Sequence, residues 1–362
     1  MRSKKQQLPF LLAIALVMFA ATGCAGAAGG QAPASALTTS AQADASATAQ
    51  TASPEPSPDS INWASAVLEH KTDAESAPIV YMTTDISPEG LMAVYQALGQ
   101  KVSGKVAVKL STGEPPASNY LRPELIKNLV QSLDATIVEC NTAYGGQRAS
   151  TAMHMQVAKD HGYTDIAAVD IMDAEGEISL PVVGGETIKE NFVGAHFKNY
   201  DYYVVLSHFK GHEMAGYGGA IKNISIGIAS SEGKSLIHTA GRSRTSPFSG
   251  SQDPFLQSMA EAGKSVVDSL NGKILYINVM NRLSIDCDCN GTPAEPDMHD
   301  VGILASLDPV ALDQACIDIV AADPDGKSLM NRINSRNGLL TLTHAAKIGL
   351  GSREYRLVSV DD

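Results

Sequence analysis

Segments typical of β-strands alternate with segments typical of α-helices along most of this chain. Apolar and β-branched runs predict strands at residues 78–84, 105–111, 135–140, 166–171, 202–206, 273–279 and 302–306. Runs with helical periodicity cover residues 88–101, 123–133, 150–161, 254–270 and, after an Asp308 cap, 310–320. This alternation is typical of βαβ units. We therefore predict an α/β fold with a mainly parallel sheet and helices on both faces, built as one large domain or two closely joined subdomains.

The beginning of the chain is predicted to be an export signal. A basic start is followed by an apolar run over residues 8–21 and then by small residues immediately before Cys24. This ending resembles the lipobox of bacterial lipoproteins, which implies cleavage before Cys24 and a lipid on its sulfur. An ordinary signal peptide with a chance cysteine is the alternative. We expect the protein to be held by this lipid on the extracytoplasmic face of the cell membrane.

A flexible linker is expected to follow the signal. Residues 25–60 are nearly all Ala, Ser, Thr, Gln, Gly and Pro, and such a segment cannot bury enough apolar surface to offset its chain entropy. The predicted division is a signal peptide at 1–23, a linker at 24–60 and an α/β domain at 61–362. The net charge of the whole chain is -12, and no basic stripe is present, which argues against a nucleic-acid partner.

Histidines and lysines are concentrated between residues 207 and 238, directly after the predicted strand 202–206. In open α/β sheets, ligands bind beyond the carboxyl ends of the strands, so His208 and His212 are predicted to lie at a binding site. Gly211 between them favours a loop over a helix. Loop histidines are candidates for metal binding or acid-base catalysis, and structural polar residues are the alternative.

A glycine-rich turn containing Gly218 and Gly219 precedes Lys222. It is not a phosphate loop, because Asn223 stands where that motif needs a Ser or Thr to bind magnesium. The glycines would let the backbone approach a ligand closely while Lys222 points at an anionic or electrophilic group. A solvated surface lysine is the alternative for Lys222, since most lysines are exposed.

Two cysteines, Cys287 and Cys289, are separated by one residue, and an aspartate precedes each of them. Such a pair can ligate one soft metal, hold a cluster or form a disulfide. Together with Cys140 and Cys316 it would give the four thiolates that suit zinc or an iron-sulfur cluster, although the spacing matches no standard ferredoxin or zinc-ribbon pattern. Buried, unreactive side chains are the alternative for Cys140 and Cys316, and a disulfide or inert pair for the other two.

Four motifs in this region resemble the domain-of-unknown-function family numbered 362. They are Leu-Ser-His-Phe-Lys-Gly-His at 206–212, Gly-Gly-Ala-Ile-Lys-Asn at 218–223, Cys-Asp-Cys at 287–289 and Ile-Leu-Ala-Ser-Leu-Asp-Pro-Val-Ala-Leu-Asp-Gln at 303–314. The resemblance extends from about residue 80 to the C-terminus, and members of that family are often labelled uncharacterised iron-sulfur centre proteins.

One feature of many members of that family is missing here. They carry a two-cluster ferredoxin insert after the position of His238, where this chain has a short polar loop, 239–253, without cysteine. The ferredoxin function is therefore not implied for this chain. An iron-sulfur site would have to use Cys287 and Cys289 themselves.

A more distant resemblance concerns the spacing of His212, Lys222 and His238. Lys222 follows His212 by ten residues in a Gly-Tyr-Gly-Gly-x-x-Lys turn, and His238 follows sixteen residues later. This order is similar to the nickel-pincer lactate racemase family. The resemblance implies that Lys222 would carry a nicotinate-derived cofactor, that His238 would ligate nickel and that His212 would transfer protons. That family's Asp-His-x-Thr-Arg motif is absent, and the nearest stretch, 141–148, has Arg148 but no histidine.

Two functions of different class agree with these features. The first is a surface-anchored metalloenzyme, redox or racemase-like, that acts on a small anionic substrate. The second is a lipid-anchored protein that binds a metal or small ligand and delivers it to a membrane partner. Candidate cofactors are an iron-sulfur cluster or a divalent metal, nickel or zinc. The residues expected to bind the anion are Lys210, Lys222 and Arg148, and those expected to handle metal or protons are His208, His212 and His238.

Overall fold

The computed structural model describes residues 61–361. The predicted signal peptide, the lipid site at Cys24 and the linker up to residue 60 lie outside the described residues. Among the helices in the described part, none is both long enough and apolar enough to cross a membrane.

The predicted alternation of strands and helices is present in the structure. The strands are β1 (Ile79–Thr83), β2 (Val106–Lys109), β3 (Thr136–Glu139), β4 (Val169–Ile171), β5 (Glu177–Pro181), β6 (Glu190–Gly194), β7 (Tyr202–His208), β8 (Lys210–His212), β9 (Gly216–Gly218), β10 (Ile274–Met280), β11 (Gly302–Ser306) and β12 (Arg356–Ser359). The helices are α1 (Pro88–Ala97), α2 (Pro123–Ser132), α3 (Thr151–Asp160), α4 (Ala220–Ser225), α5 (Ser231–His238), α6 (Gln252–Leu270), α7 (Pro309–Ala322), α8 (Lys327–Ser335) and α9 (Leu339–Lys347).

One large sheet organises this part of the chain. Its eight strands follow the order β12-β1-β11-β10-β7-β2-β3-β4. Strand β11 is antiparallel to both of its neighbours, β1 and β10, whereas the other neighbouring pairs are parallel. The prediction of a mainly parallel sheet is confirmed.

Strand β7 shows how the sheet is covered on both faces. All seven of its residues are buried, as expected for a parallel strand between two layers of helices. Tyr203 and Val205 belong to a core shared with helices α4, α6 and α7, whereas Val204 and Leu206 belong to a second core shared with α1 and α2. The residues alternate because successive side chains of a strand point to opposite faces. Helices on both faces are therefore confirmed.

The carboxyl ends of the parallel strands β2, β3 and β7 carry charged or titratable residues. These strands end at Lys109, Glu139 and His208, and all three side chains are buried. Parallel strands place their carboxyl ends along one edge of the sheet, so the three side chains are brought to a common place.

The segment after β7 differs from the predicted loop. Residues Lys210–His212 form strand β8, which pairs with β9 in a short hairpin. Gly211 is needed for packing, because a Cβ atom there would lie 2.2 Å from the carbonyl oxygen of Ile285. The Gly211 N–H donates to the Ser284 carbonyl at 2.8 Å, which ties the hairpin to the loop that follows β10. The prediction that Gly211 marks a loop was wrong, because the glycine permits a close backbone contact instead.

Candidate functional site

A cavity of about 130 Å³ lies at this edge of the sheet. Its walls come from the ends of β2, β3 and β7, the β8–β9 hairpin, helices α4 and α5, and the loop after β10. Ten of the predicted site residues line it, namely Arg148, His208, Lys210, His212, Gly218, Gly219, Lys222, His238, Cys287 and Cys289. The lining also includes charged residues that the sequence reasoning did not select, among them Lys109, Glu139, Lys234 and Asp288.

His212 presents a hydrogen-bond donor to the cavity. Its Nδ1 accepts the backbone N–H groups of Met214 and Ala215 at 3.0 and 2.9 Å. A nitrogen that accepts hydrogen bonds carries no proton, so the proton of the neutral ring is on Nε2. Burial and the nearby Lys222 charge lower the pKa of His212 well below its ordinary value. This arrangement argues against the predicted acid-base role and favours a fixed N–H donor.

His238 has the opposite arrangement. Its Nδ1 lies 2.7 Å from the carbonyl oxygen of Lys234, which can only accept, so Nδ1 carries the proton. Nε2 then has a lone pair, and no residue in the described part of the chain donates a hydrogen bond to it. The ring stacks on Phe255 with centroids 4.7 Å apart, which fixes its orientation. Burial lowers the pKa of His238 to about 4, so the ring is neutral at neutral pH. His238 can therefore act as a hydrogen-bond acceptor or as a metal ligand.

Lys222 is the cation of the cavity whose charge is least compensated. Lys109 and Lys210 form ion pairs with Glu139 and Asp288, each at 2.9 Å. Within residues 61–361, no hydrogen bond or ion pair engages the Lys222 ammonium. Burial, reinforced by the positive charges of Lys210 and Lys109, lowers the pKa of Lys222 to about 7. The side chain is therefore an ammonium in part and a free amine in part at neutral pH.

His208 is engaged on both sides of its ring. Its Nδ1 lies 2.8 Å from a carboxylate oxygen of Asp288, and its Nε2 lies 2.6 Å from the carbonyl oxygen of Asn281. Both neighbours are acceptors when Asp288 is ionised. The Lys210 and His208 charges outweigh the effect of burial and hold the pKa of Asp288 below its ordinary value. We interpret His208 as a positioning residue, because both of its nitrogens are occupied by protein atoms.

Arg148 is also held by protein groups rather than presented freely to a ligand. Its Nε donates to Glu114 at 3.0 Å, and one terminal nitrogen donates to the Tyr144 hydroxyl at 2.9 Å. Another terminal nitrogen lies 3.5 Å from a carboxylate oxygen of Glu139. Because its charge is compensated by two carboxylates, Arg148 is a weaker anion-binding candidate than the sequence suggested.

Lys109 and Glu139 form a buried polar network that the sequence reasoning missed. Lys109 donates to Glu139 and to the side-chain oxygen of Asn223, each at 2.9 Å, and to the Leu110 carbonyl at 2.7 Å. Burial acts to raise the pKa of Glu139, but the charges of Lys109 and other neighbouring basic groups lower it to about 2. A charged residue at the end of each of two predicted apolar strands was the available signal for this network.

The two glycines before Lys222 have different roles. A Cβ atom on Gly218 would lie 3.5 Å from the Lys222 side chain, an ordinary contact, so Gly218 simply borders the cavity. A Cβ atom on Gly219 would lie 2.3 Å from a carboxylate oxygen of Asp313. Asp313 accepts the backbone N–H groups of Ala220 and Ile221 at 2.7 and 3.0 Å. Gly219 therefore permits a close approach, as predicted, but the approaching group is Asp313 and not a ligand.

Cys287 and Cys289 are bonded to each other in the structure. A sulfur in a disulfide is not a thiolate, so the predicted metal-binding role does not apply to this oxidised form. Cys140 lines the same cavity, and burial raises the pKa of its thiol to about 12. Cys316 lies on α7 next to Asn278 and is not part of the cavity lining. The structure therefore does not bring four thiolates together, and these residues do not fit an iron-sulfur cluster.

Several groups of metal-ligating residue types occur in the described part of the chain. One consists of a ring nitrogen of His212 and the sulfurs of Cys287 and Cys289, all within 4.8 Å of one another. The others are Glu69, His70 and Asp318, and His299, Asp323 and Asp325. In both of these groups the histidine pairs with a carboxylate, as in an ordinary ion pair. In the cavity, the Nε2 of His238 is the better metal ligand. Neither nitrogen of His212 offers a lone pair, because Nδ1 accepts two backbone N–H groups and Nε2 carries the ring proton.

Some solved structures are similar to part of this chain. No curated protein matches this chain. The lactate racemase apoprotein from Thermoanaerobacterium thermosaccharolyticum is similar in structure, with a TM-score of 0.38 and 16% identity over 66% of this chain and 56% of that one. A Thermotoga maritima protein solved by the Northeast Structural Genomics Consortium gives a TM-score of 0.38 and 15% identity over 64% of this chain and 57% of that one. The chain thus spans little more than half the length of either.

A family model matches a defined stretch of the chain. The match covers residues 106–318, which include β2, β7, the cavity lysines and histidines and the Cys287–Cys289 pair. This range is more than half of the 362 residues. The chain belongs to the family described as Domain of unknown function (DUF362).

Proposed function

We propose that the cavity binds a small organic anion and that the amine of Lys222 takes part in its conversion. The observation that carries this proposal is the uncompensated Lys222 amine, with its pKa of about 7, in a cavity lined by further lysines. The ammonium form attracts an anion, and the free amine is a nucleophile or base. Both forms are present at neutral pH.

The two histidines complement this amine. The N–H of His212 can donate to an oxygen of the ligand, and the lone pair of His238 can accept a hydrogen bond from the ligand, which leaves the Lys222 amine as the base. A fixed donor, a fixed acceptor and an amine in one cavity suit two kinds of reaction. One is removal of a proton from the carbon next to a carbonyl or carboxylate group, and the other is imine formation between the amine and a carbonyl group. We therefore favour a 2-oxo or 2-hydroxy carboxylic acid as the class of substrate.

A reductive trapping experiment tests the role of Lys222. The full chain is incubated with pyruvate and cyanoborohydride at pH 7, and the modified lysines are located by peptide mass spectrometry. We expect modification to be concentrated on Lys222 and to be lost in Lys222→Arg, because arginine does not form an imine. Lys264, which is ion-paired with Asp268 on α6 and does not line the cavity, provides the control position. Equal labelling of Lys222 and Lys264 would refute a specially reactive amine.

A metal-dependent function is the second candidate, and the Nε2 lone pair of His238 favours it. The Lys222 amine and the His238 imidazole fit the attachment and metal-ligand positions that the racemase-like spacing implies, and a metal held there would polarise a substrate oxygen. A nickel- or zinc-binding protein without turnover would use the same atoms. Elemental analysis of the purified full chain tests this, with stoichiometric metal expected in the wild type and less in His238→Phe.

We also propose that the protein is anchored through a lipid on Cys24, on the basis of the signal-like sequence before it. Fractionation of cells that express the full chain tests the anchor. Wild-type protein is expected in the membrane fraction, and Cys24→Ala is expected to leave it. Retention of Cys24→Ala in the membrane fraction, with its signal still attached, would point to an uncleaved signal anchor instead.

A further inference from the structure

We propose that the Cys287–Cys289 disulfide is an exchangeable redox pair that oxidises a small, carboxylate-bearing thiol in the cavity. The two sulfurs are bonded to each other, and both residues line the cavity beside Lys210 and Lys222. A purely structural disulfide joins distant parts of a chain, but this one closes a loop of only three residues and therefore constrains the fold little. Its position in a cationic cavity is better explained by chemistry than by stability.

The two sulfurs are not equivalent. Cys287 is 6% exposed, whereas Cys289 is more accessible. The Cys287 sulfur also accepts the backbone N–H of Cys289 at 3.3 Å. A hydrogen bond to sulfur stabilises the thiolate, so Cys287 is the better leaving group, and an incoming thiolate is expected to attack Cys289.

The surroundings also favour a negatively charged leaving group. Lys222 and Lys234 have no carboxylate partner among the described residues, so their charges lower the energy of a thiolate in the cavity. The Asp288 carboxylate between the two cysteines is paired with Lys210 and His208, and a ring nitrogen of His212 lies within 4.8 Å of both sulfurs. The same positive charges favour binding of a thiol that carries a carboxylate over binding of a neutral thiol. The substrate class is therefore a small thiol that carries at least one carboxylate.

Reduction of the protein disulfide consumes two thiol molecules. The first thiolate attacks the sulfur of Cys289, the Cys287–Cys289 bond breaks, and Cys287 leaves as a thiolate. A second thiolate attacks the sulfur of the small molecule in this mixed disulfide, which forms the small-molecule disulfide and releases Cys289. The two thiols are oxidised by two electrons, the protein disulfide is reduced to a dithiol, and the two thiol protons pass to Cys287 and Cys289.

Thiol exchange in the folded, full-length protein tests this proposal. The oxidised protein is treated with reduced glutathione or with uncharged 2-mercaptoethanol, then alkylated, and labelling of Cys287 and Cys289 is followed by peptide mass spectrometry. We expect both cysteines to become labelled without denaturant. Relative to an exposed reference disulfide, glutathione should be favoured over 2-mercaptoethanol by roughly tenfold, because opposite charges attract.

Trapping of the mixed disulfide tests the direction of attack. When the oxidised wild type is treated with reduced glutathione and quenched early with acid, peptide mass spectrometry should find glutathione on Cys289 about tenfold more often than on Cys287, since the incoming thiolate attacks the more accessible sulfur. Labelling of the wild type only after unfolding, or equal amounts of glutathione on the two cysteines with no preference for the charged thiol, would overturn the proposal. Such a failure together with intact imine trapping at Lys222 would reject the redox pair and leave the proposed function standing.

Discussion

His212 and His238 offer opposite hydrogen-bonding atoms to the same cavity, and the backbone decides which atom each one offers. Two backbone N–H groups face Nδ1 of His212, and one backbone carbonyl faces Nδ1 of His238. The first ring must therefore carry its proton on Nε2 and the second on Nδ1. Because the backbone contacts are made before any ligand arrives, the donor and the acceptor are already in place for binding.

Nitrogen NMR of histidine-labelled protein should detect this difference directly. We expect His212 as the Nε2–H tautomer and His238 as the Nδ1–H tautomer at pH 7, with both rings still neutral at pH 6 because burial lowers their pKa values. The variants His212→Asn and His238→Asn assign the two signals. Titration of either ring near its ordinary pKa of 6.5 would contradict the buried arrangement described above.

The affinity of the cavity for an anion should change with pH as the Lys222 amine gains or loses its proton. Its pKa of about 7 means that the ammonium form dominates below neutral pH and disappears above it. The affinity for a carboxylate probe such as lactate, measured by calorimetry, should therefore fall as the pH rises from 6 to 8. Lys222→Arg should remove most of this dependence, because the guanidinium stays charged throughout. An unchanged pH profile in this variant would assign the dependence to another group.

At the scale of elements, helix α4 is fixed by a residue from a distant helix. Its preceding residue, Gly219, has no side chain that can cap the helix, and Asp313 of α7 accepts the first two N–H groups instead. Asn278 of β10 also donates to Asp313, at 2.8 Å. Helix α4 carries Lys222, so this long-range cap connects the position of the Lys222 amine to the packing of α7 against the sheet.

We expect Asp313→Ala to reduce both stability and ligand affinity. Loss of the cap leaves buried N–H groups without an acceptor, which costs about 1–3 kcal/mol of the free energy of unfolding in a urea titration. Asp308→Ala is the matched control, because Asp308 caps its own helix, α7, through Val310 and Ala311. It should lower stability without weakening binding of the lactate probe. Equal losses of affinity in the two variants would show that the long-range cap has no special role.

At the scale of the whole molecule, several buried groups make the fold sensitive to acid. Burial lowers the pKa of His154 to about 3 and that of His238 to about 4, whereas both rings take up a proton near 6.5 in the unfolded chain. Between the folded-state pKa of each histidine and 6.5, the unfolded state therefore binds more protons than the folded state. The free energy of unfolding falls as the pH falls below 6.5. Glu139, with its pKa lowered to about 2, adds stability that is present above pH 4.5 and lost below it.

Urea unfolding at a series of pH values checks this expectation. The free energy of unfolding should decrease steadily from pH 6.5 to pH 3, and each buried histidine should contribute about 1 kcal/mol per pH unit between its two pKa values. His154→Gln keeps a partner for the Thr112 hydroxyl, which lies 2.8 Å from the His154 ring, but does not titrate. This variant should lose the His154 part of the slope, and an identical slope would show that His154 is not neutral in the folded protein.

The sequence by itself determined the fold class and part of the set of residues around the cavity. Strand and helix periods depend on near neighbours in the chain, so the alternation from residue 78 to residue 320 was readable, and the segment that follows the buried strand at 202–206 was predicted to line a binding site and does line the cavity. The short hairpin β8–β9 was not, because its pairing depends on contact with the loop after β10.

Tertiary structure alone decided what each site residue can do. His208, His212 and His238 are alike in sequence, but distant carboxylates, carbonyls and N–H groups make one a positioning group, one a donor and one an acceptor. Lys109 and Lys222 are likewise distinguished only by the presence or absence of a carboxylate partner among the described residues. Hydrogen-bond partners and burial arise from residues far apart in the chain, so protonation and reactivity follow from the folded arrangement and not from the motif.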